Sequence, residues 1–113
     1  MKHYDWVPEF SGSITVCDTG GKILSMNAAA IETFKKEGGE KLIGKNLMDC
    51  HPEAAQAKIK KIMKTRKPNI YTIEKLGVKK LVYQAPWYRK GRYAGLVELV
   101  LEIPDTLPHF IRN

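Results

Sequence analysis

The sequence predicts an α+β domain: a five-stranded antiparallel sheet with helices packed on one face, in the order two strands, several helices, three strands. Three observations predict it. A turn-forming Asp18-Thr19-Gly20-Gly21 joins two short apolar runs, Ser13–Cys17 and Lys22–Met26. Apolar residues recur at helical spacing between Asn27 and Arg66. Beyond Pro68, three β-rich runs are separated by Leu76-Gly77 and Arg89-Lys90-Gly91.

In the hairpin, the Asp18 side chain can accept from a backbone N–H two residues on, and the glycines accept the positive φ that a tight turn needs. Asn27 is the expected N-cap of a helix from about Ala28 to Glu37, with Ile31 and Phe34 on one face and Gly38-Gly39 ending it. Around Gly44, the spaced Leu42, Ile43, Leu47 and Met48 predict short irregular helical turns.

The clearest helix spans about Pro52 to Arg66. Pro52 suits the first helical position and Glu53 the positive end of the dipole. Ala55, Ile59, Ile62 and Met63 form an apolar stripe, and Lys60, Lys61 and Lys64 project from the opposite side. Pro68 stops the helix.

Of the last three strands, Asn69–Lys75 carries Tyr71, Thr72 and Ile73. Lys79–Tyr88 sets Leu81, Tyr83, Ala85 and Trp87 on one face. In Tyr93–Ile103, the residues Val97, Leu99, Leu101 and Ile103 share one face, and Leu96 and Val100 lie between Glu98 and Glu102 on the other. That second face is expected to be the outer one, and it is too apolar for open water, so a partner should cover it.

With 113 residues, 43% of them hydrophobic, the chain is sized for one domain and one modest core. No apolar run approaches a membrane span. The opening Met1–Trp6 has neither an apolar core nor a cleavage pattern, so a cytoplasmic protein is expected. Two cysteines, Cys17 and Cys50, are too few for a disulfide framework or a zinc site. The net charge of +7 raises nucleic acid as a rival partner. The helical lysine stripe lacks interleaved aromatics and hydroxyl or amide donors, so a solvated face is the better reading of it.

The hairpin with its D-x-x-G turn and Asn-capped helix resembles the opening of a PAS domain. Leu42-Ile43-Gly44-Lys45-Asn46, then Asp49-Cys50-His51-Pro52, is similar to the I-G-[KR]…C-H-P segment of a bacterial PAS subfamily. Gly91-Arg92-Tyr93-Ala94-Gly95-Leu96-Val97-Glu98 resembles its G-x-Y-x-G-x-x-E closing strand. The resemblance implies a domain over residues 13–103, an N-terminal extension over 1–12 and a C-terminal tail over 104–113. It also implies a non-enzymatic sensor or interaction module of bacterial signal transduction, which binds a small ligand in its cavity, forms a homodimer through the sheet face and signals to an effector protein.

The resemblance leaves haem open as a cofactor, with His51 as its ligand. It argues against a flavin of the light-oxygen-voltage class, because the segment around Cys50 lacks that class's Asn, Arg and Gln. Cys50 and His51 are the chemical candidates. A thiol near a helix N-terminus can become a thiolate, which makes a haem or thiol redox sensor one alternative; the positive charge makes a basic nucleic-acid-binding domain another. The bland reading is that Cys50 is a small buried hydrophobe and His51 a cap. Tyr83 and Trp87 are candidate cavity walls, provided that their face is inward. No H-x-x-x-H, C-x-x-C, phosphate loop or catalytic triad is present, so neither a metal site nor an enzyme is expected.

Overall fold

The computed structural model describes residues 5–113, without the side chain of Cys50. The elements are β1 (Ser13–Cys17), β2 (Ile23–Met26), α1 (Ala28–Thr33), α2 (Glu53–Thr65), β3 (Asn69–Lys75), β4 (Val78–Arg89) and β5 (Arg92–Ile103). Short 3-10 turns at Lys35–Glu37, Gly39–Leu42 and Leu47–Cys50 connect the two helices. All five strands join one antiparallel sheet in the order β2-β1-β5-β4-β3, and the expected element order is met.

Local chemistry accounts for the boundaries. Asp18 Oδ1 accepts from the backbone N–H groups of Gly20 and Lys22, both at 2.9 Å, which closes the first hairpin. Asn27 caps α1 by accepting from Ala30 N at 3.0 Å. The same oxygen accepts from Ile14 N at 2.9 Å, while Asn27 Nδ2 donates to the carbonyls of Val7 and Gly12. One buried side chain therefore ties β1, α1 and the N-terminal segment together. Within that segment, Trp6 and Phe10 meet edge to face at 5.5 Å.

Two helix boundaries differ from expectation. The first α-helix ends at Thr33, because the chain leaves helical geometry at Phe34 and tightens into the 3-10 turn at Lys35–Glu37. Pro52 is the N-cap of α2, extended at ψ 161°, and Glu53 is the first helical residue. Arg66 ends α2 in the left-handed conformation, and its guanidinium stacks 3.5 Å from the centre of the Tyr93 ring.

The core lies between the helical layer and one face of the sheet. Ile59 and Ile62 of α2 bury their stripe with Cys17, Ile23, Met26, Ala30, Leu42, Leu47 and Leu96. This reverses the expected facing of β5. Leu96 is 2% exposed in the core, so Leu96, Glu98 and Val100 point toward the helices, not outward. The reason is polar pairing. Glu98 stands opposite Gln84 and Thr15 in the ladders, and these groups face inward together. The apolar set Leu81, Tyr83, Ala85, Val97, Leu99 and Leu101 takes the opposite, half-exposed face.

Candidate functional site

A row of polar side chains crosses the inner face of four adjacent strands. Thr15 of β1 pairs with Glu98 of β5, Glu98 with Gln84 of β4, and Gln84 with Asn69 of β3. Asn69 Nδ2 donates to Gln84 Oε1 at 2.9 Å, and Gln84 Nε2 donates to Glu98 Oε2 at 2.7 Å. Glu98 is only 8% exposed. Among the described residues, Gln84 is its one hydrogen-bond donor, and no Lys, Arg or His pairs with it. The Thr15 hydroxyl is buried beside it with no hydrogen-bond partner.

Above this row lies a cleft of about 720 Å³, walled by Phe34 and Thr33 from the helical layer and by Tyr71, Ile73, Val82 and Val100 from the sheet. It meets a smaller inner pocket of about 20 Å³, with Phe34, His51 and Glu98 common to both. Thr15, Ile23, Met26, Leu42 and Leu47 complete the inner pocket, which has room for one water-sized group. Burial, and then the Glu98 carboxylate, push the Tyr71 phenol above its usual range.

His51 follows the Leu47–Cys50 turn, where its Nδ1 donates to the Leu47 carbonyl at 2.8 Å. In the neutral tautomer that this bond selects, Nε2 is the ring's acceptor, and His51 lines the pocket. Gln56 of α2 fastens this turn by donating to the carbonyls of Met48 and His51, at 2.8 and 2.9 Å.

The other expected site residues fall elsewhere. The Cys50 side chain lies outside the described residues. Tyr83 and Trp87 do share a face with Leu81, but it is the face turned away from the helices, so they are not cleft walls. The Trp87 indole N–H donates to the Cys17 carbonyl at 2.9 Å, crossing from β4 over Gly95 of β5. Cys17 itself is buried, which pushes its thiol above the ordinary range. Among the described residues, no group of His, Cys, Asp and Glu could hold a metal ion, and no helix is long and apolar enough to cross a membrane.

Glu98, Gln84, Asn69 and Thr15 were not anticipated as site residues. Their signal was available: a Gln and a Glu sit mid-strand between apolar residues that share their parity, Val82 and Pro86 around Gln84, Leu96 and Val100 around Glu98.

For haem, His51 offers a nitrogen that borders both the inner pocket of about 20 Å³ and the cleft of about 720 Å³. The cleft presents Glu32, Glu37, Glu98 and Glu102 together with Lys75 and Lys80, so haem propionates would meet both repulsive and attractive charges there.

No protein-family model matches the sequence, and no curated protein matches it. Solved structures do. The C-terminal domain of a Streptococcus mutans protein is 21% identical, with a TM-score of 0.70, covering 88% of this chain and 81% of that one. The Aer2 receptor from Vibrio cholerae, a dual PAS-haem oxygen sensor, is 18% identical with a TM-score of 0.62, covering 82% of this chain and 95% of that one. The PAS domain of Bordetella pertussis BvgS is 19% identical with a TM-score of 0.63, covering 91% and 85%. This chain has a PAS-like fold.

Proposed function

We propose that this chain is a non-enzymatic sensory module of a signal-transduction protein, which binds a small ligand in the cleft between its sheet and its helical layer. The observation that carries the reading is the buried polar row ending at Glu98 and Thr15, of which Glu98 borders the open cleft and both border the inner pocket. Buried polar atoms are ordinarily satisfied, and the unpartnered Thr15 hydroxyl at the inner pocket, beside Glu98, is a group that a ligand can complete. Among the PAS-like neighbours, Aer2 is a receptor and an oxygen sensor, which supports the sensory role by analogy of fold.

In this reading the second surface is the outer sheet face. Leu81, Tyr83, Val97, Leu99 and Leu101 are half-exposed there, more apolar than the inner face they back. A homodimer or an effector protein covers it, so a ligand on one side of β4 and β5 shifts strands whose other side forms the interface.

Native mass spectrometry of freshly purified protein, with an absorption spectrum, tests the ligand. A co-purifying mass that Val100→Trp excludes by filling the cleft supports the reading. A mass retained by that variant places the ligand elsewhere and contradicts it. A Soret band lost in His51→Ala would make haem the ligand.

A further inference from the structure

We propose that the cleft is selective for a small organic cation, an amine with a compact apolar body, whose N–H groups complete Glu98. This rests on the reading of the cleft as a ligand site and assigns the chemistry of what enters it. Three independent observations converge.

The first is the state of Glu98. A carboxylate can accept about four hydrogen bonds, yet this one receives a single bond from Gln84 and no ion pair among the described residues. Asn69 orients the Gln84 amide so that its N–H points to the carboxylate. The sheet thus positions Glu98 without neutralising it, and a buried uncompensated charge is strongly stabilised by a cationic donor.

The second is the company at the inner pocket. His51 Nε2 is an acceptor once Nδ1 is committed to Leu47, and the Thr15 hydroxyl has acceptor lone pairs and no partner. Three groups that can accept therefore border a space of about 20 Å³, enough for one ammonium-sized head. A ligand carboxylate would find the Thr15 hydroxyl as its one donor and would oppose Glu98, and an alcohol has a single O–H to give, whereas an ammonium can donate to all three.

The third is the charge of the cleft against that of the chain. The protein carries 19 Lys and Arg against 12 Asp and Glu. Yet the cleft is lined by four carboxylates (Glu32, Glu37, Glu98 and Glu102) and two ammonium groups (Lys75 and Lys80). Glu32 is paired with Lys35 at the rim. The residues that line the cleft are net negative on a molecule of net charge +7, which favours cations in the cleft. Phe34, Ile73, Val82 and Val100 then supply apolar walls for the body of the amine.

The test is amide NMR on the labelled protein, titrated with isopentylamine and 2-phenylethylamine, their alcohol isosteres, and the matched carboxylates. The expected result is that the amines shift cleft amides near Tyr71, Val82 and Glu98, bind about tenfold or more tightly than the alcohols, and lose that advantage in Glu98→Gln. The comparison of amine with alcohol on the unaltered protein needs no variant to fold. Alcohols or carboxylates binding the cleft as well as the amines overturn the cation assignment and leave the ligand-site reading standing. A cleft that responds to probes of no charge class overturns both.

Discussion

Gln84 donates to the carboxylate of Glu98 at 2.7 Å, across the β4–β5 ladder, from one buried side chain to another. This pair decides which way the sheet faces. Because Gln84 donates to Glu98 and accepts from Asn69 in turn, the polar parity of both strands turns toward the helices. The apolar parity is left outside.

The pair therefore behaves as a unit toward mutation. Gln84→Leu strips Glu98 of its donor and is expected to cost about 1–3 kcal/mol of stability. Replacing both, Gln84→Leu with Glu98→Leu, is expected to cost less than the single change, since no buried charge is left without a donor. Urea denaturation of the double-mutant cycle checks this, and simple additivity would contradict it.

The outer face gives a second expectation. Leu99→Lys and Tyr83→Glu introduce charge on half-exposed strand positions that the core does not use. Light scattering should report a dimer for the unaltered protein and a monomer for each variant, with unchanged far-ultraviolet circular dichroism. A monomer before mutation, at the highest accessible concentration, removes the dimer from the account.

Close approach at Gly95 sets a third. Its φ is +147°, and a Cβ built there would overlap the Cys17 carbonyl oxygen, the atom to which Trp87 donates. Gly95→Ala is expected to destabilise by about 2–4 kcal/mol through overpacking and backbone strain. Trp87→Phe, which removes only the hydrogen bond and part of the ring, should cost about 1 kcal/mol. Thermal unfolding of the two variants should rank them in that order.

Alkaline pH supplies a fourth. Burial raises the Cys17 thiol from an ordinary 9.0, and burial likewise raises the Tyr71 and Tyr93 phenols from an ordinary 10.0. Each folded group holds its proton more tightly than the unfolded chain does. The stability they contribute is complete below pH 9 and is lost as pH rises through the folded values. Urea midpoints should fall above about pH 9, and less steeply in Cys17→Ala. A flat midpoint through pH 10.5 would count against the burial of the Cys17 thiol, which is 1% exposed.

The sequence made the local chemistry of the hairpin, the Asn27 cap, the α2 stripe and the three final strands legible, because each follows from side chains acting on their own backbone neighbours. The Leu76-Gly77 and Lys90-Gly91 turns have positive φ at both central residues, the geometry a two-residue hairpin demands. Facing was harder to read. Val97, Leu99 and Leu101 form the cleaner apolar series, so periodicity sends them inward; yet Glu98 and Gln84 occupy the interior, because they are partners from different strands. A pair 14 residues apart in sequence is invisible to a period-two pattern. His51 was legible as a candidate from its neighbours Cys50 and Pro52, but its carbonyl-tethered Nδ1 is a tertiary fact of the Leu47–Cys50 turn.

The most direct test of the central claim is a fragment screen by amide NMR on the unaltered protein, with compounds of diverse charge and size. The account predicts that hits cluster on the inner row and cleft walls, at Tyr71, Val82, Glu98 and Val100, and that Val100→Trp abolishes them. Hits confined to the outer face at Leu81, Tyr83 and Leu99, with the cleft silent, would contradict it.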